Sequence, residues 1–176
     1  MTSSQPPIGF ALATSADAPA IAALIERAYR GSLAATTWTN EAAILEGPRT
    51  SLAEIEGLLA DTDSRFATAT DDTGLIGCAL IQKLGGGAYF GMFAIDPARQ
   101  ATGLGKALMA YAESTAQSLW GATFMRLTVI SLRDALIAWY ERRGYINTGF
   151  REPFPFDSAP GALRTDFDLI VLEKPL

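Results

Sequence analysis

Residues 89–106 combine a strand-like run, a sharp turn and two glycines at the start of a helical pattern. The apolar run stops at Asp96-Pro97, and the chain then continues as Gln100-Ala101-Thr102-Gly103-Leu104-Gly105-Lys106. Glycines at such a turn let backbone N–H groups approach a ligand closely. The first turn of a helix also leaves N–H groups unpaired and carries partial positive charge. The segment therefore predicts a site for an anion, typically a phosphate.

Two nucleotide-binding motifs fail in this segment. The dinucleotide fingerprint Gly-x-Gly-x-x-Gly would need a third glycine where Leu108 stands. The Walker A loop would need glycine in place of Gln100 and Ser or Thr in place of Ala107, which follows Lys106. A merely tight turn into a core helix remains the structural alternative.

The segment Gln100–Gly105 resembles the Gln/Arg-x-x-Gly-x-Gly/Ala pyrophosphate signature of the GNAT acyltransferase superfamily. Residues 133–145 resemble the family's Asn-x-x-Ala-x-x-x-Tyr-x-x-x-Gly-Phe/Tyr segment, with Arg133 in place of the Asn. The resemblance covers residues 65–150 and a family-like first strand and helix. Residues 38–49 and 153–157 resemble a bacterial group of this family whose substrates are poorly defined.

This resemblance implies acetyl-CoA as the cosubstrate. No metal is expected, because the sequence has no histidine and one cysteine and the implied chemistry needs none. The residues it assigns to cosubstrate binding lie on a strand end, on the glycine turn and on a later helix: Phe93, Ala94, Ile95, Gln100, Ala101, Thr102, Gly103, Leu104, Gly105, Lys106, Arg133 and Tyr140. The strand would act through backbone groups that polarise the acetyl carbonyl. An Arg at position 133 would contact the pantetheine arm or a phosphate.

The resemblance also implies catalytic and acceptor-site residues. Tyr140 would act as the general acid that protonates the leaving thiolate, and core packing is the alternative role for its ring. Trp38, Glu41 and Phe154 would lie at the acceptor site, with Glu41 as the candidate base. Glu41 can equally stabilise the first turn of a short helix. Glu152 is a second candidate base.

Histidine is absent from the sequence and Cys78 is the single cysteine. A Ser-His-Asp or Cys-His site and a His-ligated zinc site are therefore excluded. Cys78 lies in an apolar run and is expected to be a buried thiol, which fits a reducing cytoplasm and direct transfer without an acetyl-enzyme. The sequence does not open with a charged stretch followed by an apolar one, so no signal peptide is expected. It also has no run of about 20 apolar residues that could span a bilayer.

The charge balance argues against polyanionic partners. The net charge is −5 and the isoelectric point about 4.7, so neither nucleic acid nor an anionic membrane is an expected partner. The first 63 residues carry eight acidic and three basic residues, whereas the remainder carries eleven of each. This acidic third consists either of solvated helix faces or of carboxylates offered to a cationic substrate.

Periodicity predicts one α/β domain over residues 1–176. The predicted order is a strand, two or three helices, three strands, a helix, a strand, a helix and two strands. Such an order favours a mixed, mostly antiparallel sheet of about six to seven strands with helices on both faces. Specific boundaries include a short helix from Asn40 to Glu46, a helix over 132–143 capped by Ser131, and a last strand over 166–172.

The most specific function consistent with these features is acetyl transfer from acetyl-CoA to a primary amine of a small molecule. Acetylation of protein N-termini or lysines is one alternative. A non-catalytic acyl-CoA-binding module is another. The sequence leaves the acceptor, the acyl chain and a possible homodimer open.

Overall fold

The computed structural model describes residues 7–31, 41–159 and 161–176. Its helices are α1 (Ala18–Arg30), α2 (Leu52–Ala60), α3 (Leu104–Trp120) and α4 (Asp134–Glu141). Its strands are β1 (Gly9–Leu12), β2 (Ser64–Asp71), β3 (Gly74–Leu84), β4 (Gly87–Ile95), β5 (Phe124–Ile130), β6 (Ile146–Glu152) and β7 (Leu169–Pro175). None of these helices is long and apolar enough to cross a lipid bilayer.

The seven strands form one mixed sheet in the order β1-β2-β3-β4-β5-β7-β6. Neighbouring strands are antiparallel except β4 and β5, which are parallel. The predicted element order and the mostly antiparallel sheet are therefore confirmed. The parallel pair follows from the crossover through α3, since parallel neighbours need a long connection.

Helices cover both faces of the sheet because successive strand side chains point to opposite sides. One core joins Ile21 and Ile25 of α1 to Phe66 and Leu80 of the sheet. The other core joins α3 and α4 to the opposite face and includes the following buried residues: Leu104, Leu108, Met109, Ile95, Leu127 and Tyr140. Strands β2, β3 and β4 are thus buried between two helical layers, and α4 places its residues against the β4–β5 side.

The predicted short helix from Asn40 to Glu46 is wrong in the part that the structure describes. The chain turns before Leu45, which forms an isolated antiparallel bridge with Ala162. Glu46 N donates to Gly161 O at 2.7 Å. Pairing with the β6–β7 connection therefore prevails over local helix propensity. Asn40 itself lies outside the described residues.

Two predicted element boundaries also differ from the structure. The predicted helix over 132–143 is shorter, because Ser131 Oγ accepts a hydrogen bond from Asp168 N at 3.2 Å instead of capping it. The last strand begins and ends three residues later than predicted. It pairs with β5 along its whole length, from Leu169 opposite Ile130 to Pro175 opposite Phe124. Contacts with distant segments set both boundaries.

Candidate active site

Strands β4 and β5 diverge shortly after they begin. They pair in parallel at Ala88 with Met125 and at Tyr89 with Arg126. Beyond these positions a cavity of about 630 Å³ is lined by residues 91–93 of β4 and 127–130 of β5. The sequence predicted the strands but could not show this gap.

A β-bulge in β4 forms one wall of this cavity. Cys78 pairs with Ala94 and Leu80 pairs with Gly91, so β4 has one residue more than β3 between these two pairs. Met92 has a φ of 45°, a conformation that non-glycine residues rarely adopt. A bulge bends its strand locally. The bend turns β4 away from β5 where the cavity opens.

The three strand residues predicted to act through their backbone have different environments. Phe93 lines the cavity, and its carbonyl accepts a hydrogen bond from Tyr29 Oη at 2.8 Å. Ala94 and Ile95 are buried, pair with β3 and lie beyond the bulge. The backbone of β4 therefore faces the cavity at and before Phe93, and Tyr29 fixes its position from α1.

The glycine turn contains two residues in the left-handed region, one of which is not glycine. Ala101 and Gly103 have positive φ angles of 64° and 83°, and Gly103 is the N-cap of α3. The first helical bond runs from Ala107 N to Gly103 O at 3.1 Å, so the preceding amides stand at the positive end of the helix. Gln100 Nε2 donates to Ile95 O at 3.4 Å, which ties the turn to the end of β4.

A second pocket of about 240 Å³, called here the loop pocket, lies beside this turn. Its lining residues come from the turn and from the end of α4: Arg99, Gln100, Ala101, Gly103, Gly105, Lys106, Trp139 and Arg143. Of the other predicted turn residues, Thr102 donates its hydroxyl to Arg99 O at 2.7 Å, and Leu104 is buried in the core. Three basic side chains at a helix N-terminus make this pocket suitable for phosphates.

Sequence reasoning missed Trp139 and Arg143 as components of the loop pocket. The guanidinium of Arg143 lies 3.4 Å from the centre of the Trp139 ring, and its Nη1 donates to Trp139 O at 2.7 Å. Its buried Nε has no hydrogen-bond partner among the described residues. Burial and the nearby charge of Arg142 lower the pKa of Arg143. The i, i+4 spacing of Trp139 and Arg143 was the available signal.

Tyr140 lies on α4 and lines the large cavity beside the β4–β5 gap. It is 6% exposed, and its ring packs against the rings of Trp139 and Tyr145 at centroid distances of 5.3 and 5.7 Å. Burial, followed by the nearby Tyr29 and Tyr89, raises the pKa of Tyr140 well above 10. The ring is therefore part of the core, while the hydroxyl stays protonated and can donate a hydrogen bond.

Glu41 also lines the cavity, where it contacts two arginines. Its Oε2 lies 3.0 Å from Arg30 Nη1 and its Oε1 lies 3.7 Å from Arg133 Nη1. The Glu41 side chain is 12% exposed and that of Arg133 is 8% exposed. Arg133 thus lies at the cavity beside Glu41 and does not line the loop pocket. Glu152, the second carboxylate considered, is exposed at the end of β6.

Phe154 lines the cavity from the β6–β7 connection. Its ring packs against those of Phe156 and Phe167 at centroid distances of 5.0 and 4.9 Å. This aromatic cluster covers a small core, and Phe154 also forms part of the cavity wall, while its role toward an acceptor stays a prediction. Trp38, the other predicted acceptor-site residue, lies outside the described residues.

Cys78 is fully buried on β3, and its Sγ lies 3.9 Å from Met92 O. Burial raises the pKa of the Cys78 thiol to about 12. Because the thiolate is the reactive form, we expect no reaction of the native protein with a disulfide reagent such as DTNB at pH 8. One thiol per chain should react after denaturation in guanidinium. Rapid labelling of the folded protein would contradict this prediction and would make a mechanism through a covalent acetyl-cysteine possible again.

Metal-ligating side chains do not converge in the part of the chain that the structure describes. No group of three or more Cys, Asp or Glu residues lies close enough there to hold an ion. The cavity carboxylate of Glu41 instead faces guanidinium groups. Chemistry without a metal remains a prediction from the sequence.

Comparisons with known proteins agree with this geometry. A model of the acetyltransferase (GNAT) family matches residues 19–145. The ribosomal-protein-S18-alanine N-acetyltransferase from Escherichia coli superposes with a TM-score of 0.71 at 20% identity, over 96% of this chain and 94% of that one. A spermidine N-acetyltransferase SpeG chimera from Vibrio cholerae and hSSAT gives 0.68 at 18% identity, over 96% and 95%.

A third solved structure, the PaiA N-acetyltransferase from Thermoplasma acidophilum in complex with coenzyme A, gives a TM-score of 0.69 at 17% identity, over 97% of this chain and 99% of that one. These three structures show a shared fold, and the first two are named for different substrates. No curated protein sequence matches the chain significantly. Since the family model spans well over half of the residues, the chain belongs to the GNAT family of acetyltransferases.

Proposed function

We propose that the chain transfers an acetyl group from acetyl-CoA to a primary amine of a small molecule by direct attack. The observation that carries this proposal is that consecutive residues of α4 line the loop pocket and the cavity in the β4–β5 gap. Trp139 lines the loop pocket, while Tyr140, the next residue of α4, lines the cavity. A cosubstrate with its phosphates at the loop can therefore place its thioester in the gap beside Tyr140.

The loop pocket supplies what the pyrophosphate of coenzyme A requires. The first-turn amides of α3 provide hydrogen-bond donors, and Lys106 and Arg143 provide positive charge, whereas Arg99 is paired with Asp71 at 2.8 Å. Gly103 allows the turn to adopt its left-handed geometry. The similar structure from Thermoplasma acidophilum was solved in complex with coenzyme A, which supports coenzyme A as a ligand of this fold.

The reaction is a direct acyl transfer. The neutral amine attacks the acetyl carbonyl, the C–S bond then breaks, and Tyr140 Oη donates its proton to the departing thiolate. The proton that the amine loses returns to Tyr140 through solvent, so atoms and charges balance. The backbone of β4 at the bulge polarises the carbonyl, and the two pockets orient the reactants.

Glu41 has a positioning role in this proposal. Both of its oxygens already face guanidinium groups, from Arg30 and Arg133. A carboxylate engaged in this way holds the arginines in place and has less capacity to bind or deprotonate an amine. Water at the open end of the cavity then carries the amine proton.

A small acceptor fits the cavity better than a protein chain. The bridge between Leu45 and Ala162 links the segment after α1 to the β6–β7 connection. The two linked segments supply Glu41, Leu45 and Phe154 to the cavity wall. These segments enclose the acceptor end of the cavity with backbone and side chains. The result is a pocket, whereas an extended peptide would need an open groove.

The experiment that tests this function is a panel of amines and short peptides incubated with acetyl-CoA, with release of free thiol as the readout. We expect acceptor-dependent thiol release with at least one small amine and slower release with peptides. Faster release with peptides would favour a protein acetyltransferase. Binding of coenzyme A without turnover on any acceptor would indicate a non-catalytic binding module.

A further inference from the structure

Arg49 is a cation at the cavity wall that the proposed mechanism does not use. Its guanidinium carbon lies 5.1 Å from the centre of the Tyr29 ring, and the residue is partly buried. Among the described residues it has no hydrogen-bond or ion-pair partner. A partly buried guanidinium that no carboxylate contacts directly keeps its N–H donors available for a ligand. Arg49 therefore marks a position where an anionic group can bind.

The other arginines of the cavity are paired. Arg30 and Arg133 share the single carboxylate of Glu41. Glu54 also lines the cavity, but its Oε2 accepts a hydrogen bond from Thr50 Oγ1 at 2.7 Å, and it forms no ion pair within the described part of the chain. One charged group of each sign, Glu54 and Arg49, thus remains at this end without an ion pair among the described residues, a combination that suits a ligand carrying an amine and an acid.

Arg49 lies close to the expected site of transfer. One tyrosine ring connects them, because Tyr29 contacts Arg49 with its face and the Phe93 carbonyl with its hydroxyl. Phe93 belongs to the bulge that opens the β4–β5 gap. A group bound by Arg49 would consequently sit within the length of a small molecule from the thioester.

We propose that the acceptor amine carries a carboxylate and that the Arg49 guanidinium binds it, which makes the acceptor an amino acid or a close analogue. This inference rests on the proposed acetyl transfer and specifies its substrate class. The planar guanidinium matches a carboxylate through two parallel hydrogen bonds. A polyamine lacks the anion and would leave Arg49 unpaired beside its own positive charges.

The charge of Arg49 is permanent. Burial by itself would lower its pKa, but the combined influence of Tyr29, Glu41, Glu54 and Tyr89 outweighs burial, and the pKa is raised. The guanidinium is therefore charged at every pH at which the protein can be assayed. The preference for acceptors with a carboxylate should therefore not change with pH through titration of Arg49.

The test compares acceptors that differ only by the carboxylate: phenylalanine with phenethylamine, leucine with 3-methylbutylamine, and 4-aminobutyrate with propylamine. We expect the acid of at least one pair to have a kcat/KM at least ~10-fold higher. Arg49→Met should raise the KM of that acid by ~10–100-fold and leave its amine partner nearly unchanged. Arg49→Lys should give an intermediate KM, because it keeps the charge without the planar fork.

Arg65→Met is the matched control, since Arg65 lies on β2 and lines neither pocket. Arg65→Met should leave the kcat/KM of both members of each pair unchanged. Only variants whose melting temperatures are close to that of the wild type should be compared. Equal use of acids and amines by the wild type would overturn the inference. So would an Arg49→Met variant that slows both members alike. A preference confined to phosphoethanolamine over ethanolamine would assign Arg49 to phosphate and also overturn it.

A binding measurement separates this inference from the proposed function. The probes are N-acetylphenylalanine and N-acetylphenethylamine, titrated by calorimetry into protein saturated with coenzyme A. Tighter binding of the acid that disappears in Arg49→Met supports the carboxylate site even if no acceptor is acetylated. Equal affinities of the two probes, together with equal kcat/KM values in every pair, would refute it while leaving acetyl transfer intact.

Discussion

Gly105→Asp should weaken the binding of coenzyme A by ~100-fold or more, because a like charge placed against a phosphate costs several kcal/mol. Gly105 lines the loop pocket next to Trp139. An added Cβ would meet Phe93 at 3.4 Å, Trp139 at 3.5 Å and Ile95 at 3.7 Å, which are ordinary contacts. Aspartate in the first turn also suits the helix dipole, so the fold should survive.

Gly105→Asn is the matched control, since it has the same shape without the charge. Its affinity for coenzyme A should exceed that of Gly105→Asp by at least ~10-fold, measured by calorimetry on proteins with similar melting temperatures. Gly103→Asp is a less clear test. Its φ of 83° adds backbone strain to the charge effect. A folded Gly105→Asp protein with wild-type affinity would remove the loop pocket as the phosphate site.

The order of elements could be predicted because its signals are local. The turn at Asp71–Gly74 and the glycines after Leu84 end strands within a few residues, and the structure places β2, β3 and β4 accordingly. The glycine turn was predictable for the same reason, since its residues are contiguous. The gap between β4 and β5 was not, because it depends on a bulge at Met92 that no local pattern indicates.

The charged end of the cavity could not be predicted from local sequence patterns either. Arg30, Glu41 and Arg133 come from three separate segments and meet through long-range packing. The resemblance implies that Arg133 contacts the cosubstrate, which stays a prediction, and the structure adds its proximity to Glu41 at the same cavity. Arg49 belongs to no motif, and its significance depends on its having no ion-pair or hydrogen-bond partner among the described residues. Such absences become visible only in three dimensions.

The pH dependence of catalysis follows from the environment of Tyr140. Burial, with smaller effects of Tyr29 and Tyr89, raises its pKa. A raised pKa means that the protonated, donating form persists as pH increases past the ordinary value of about 10. We therefore expect kcat to rise with pH as the acceptor amine loses its proton, with no decline from Tyr140 up to about pH 10.

Tyr140→Phe should lower kcat by ~100-fold while the affinity for coenzyme A changes little, because loss of a general acid costs ~10²–10⁴-fold and water can partly replace it. The substitution keeps the ring that packs against Trp139 and Tyr145, so the melting temperature should be close to that of the wild type. The decrease should have the same size at each pH, since the hydroxyl does not titrate in that range. Steady-state thiol release from pH 6 to 10 measures it, and calorimetry with coenzyme A provides the control. A variant that turns over at the wild-type rate across this range would show that Tyr140 only packs in the core. Solvent would then have to protonate the leaving thiolate.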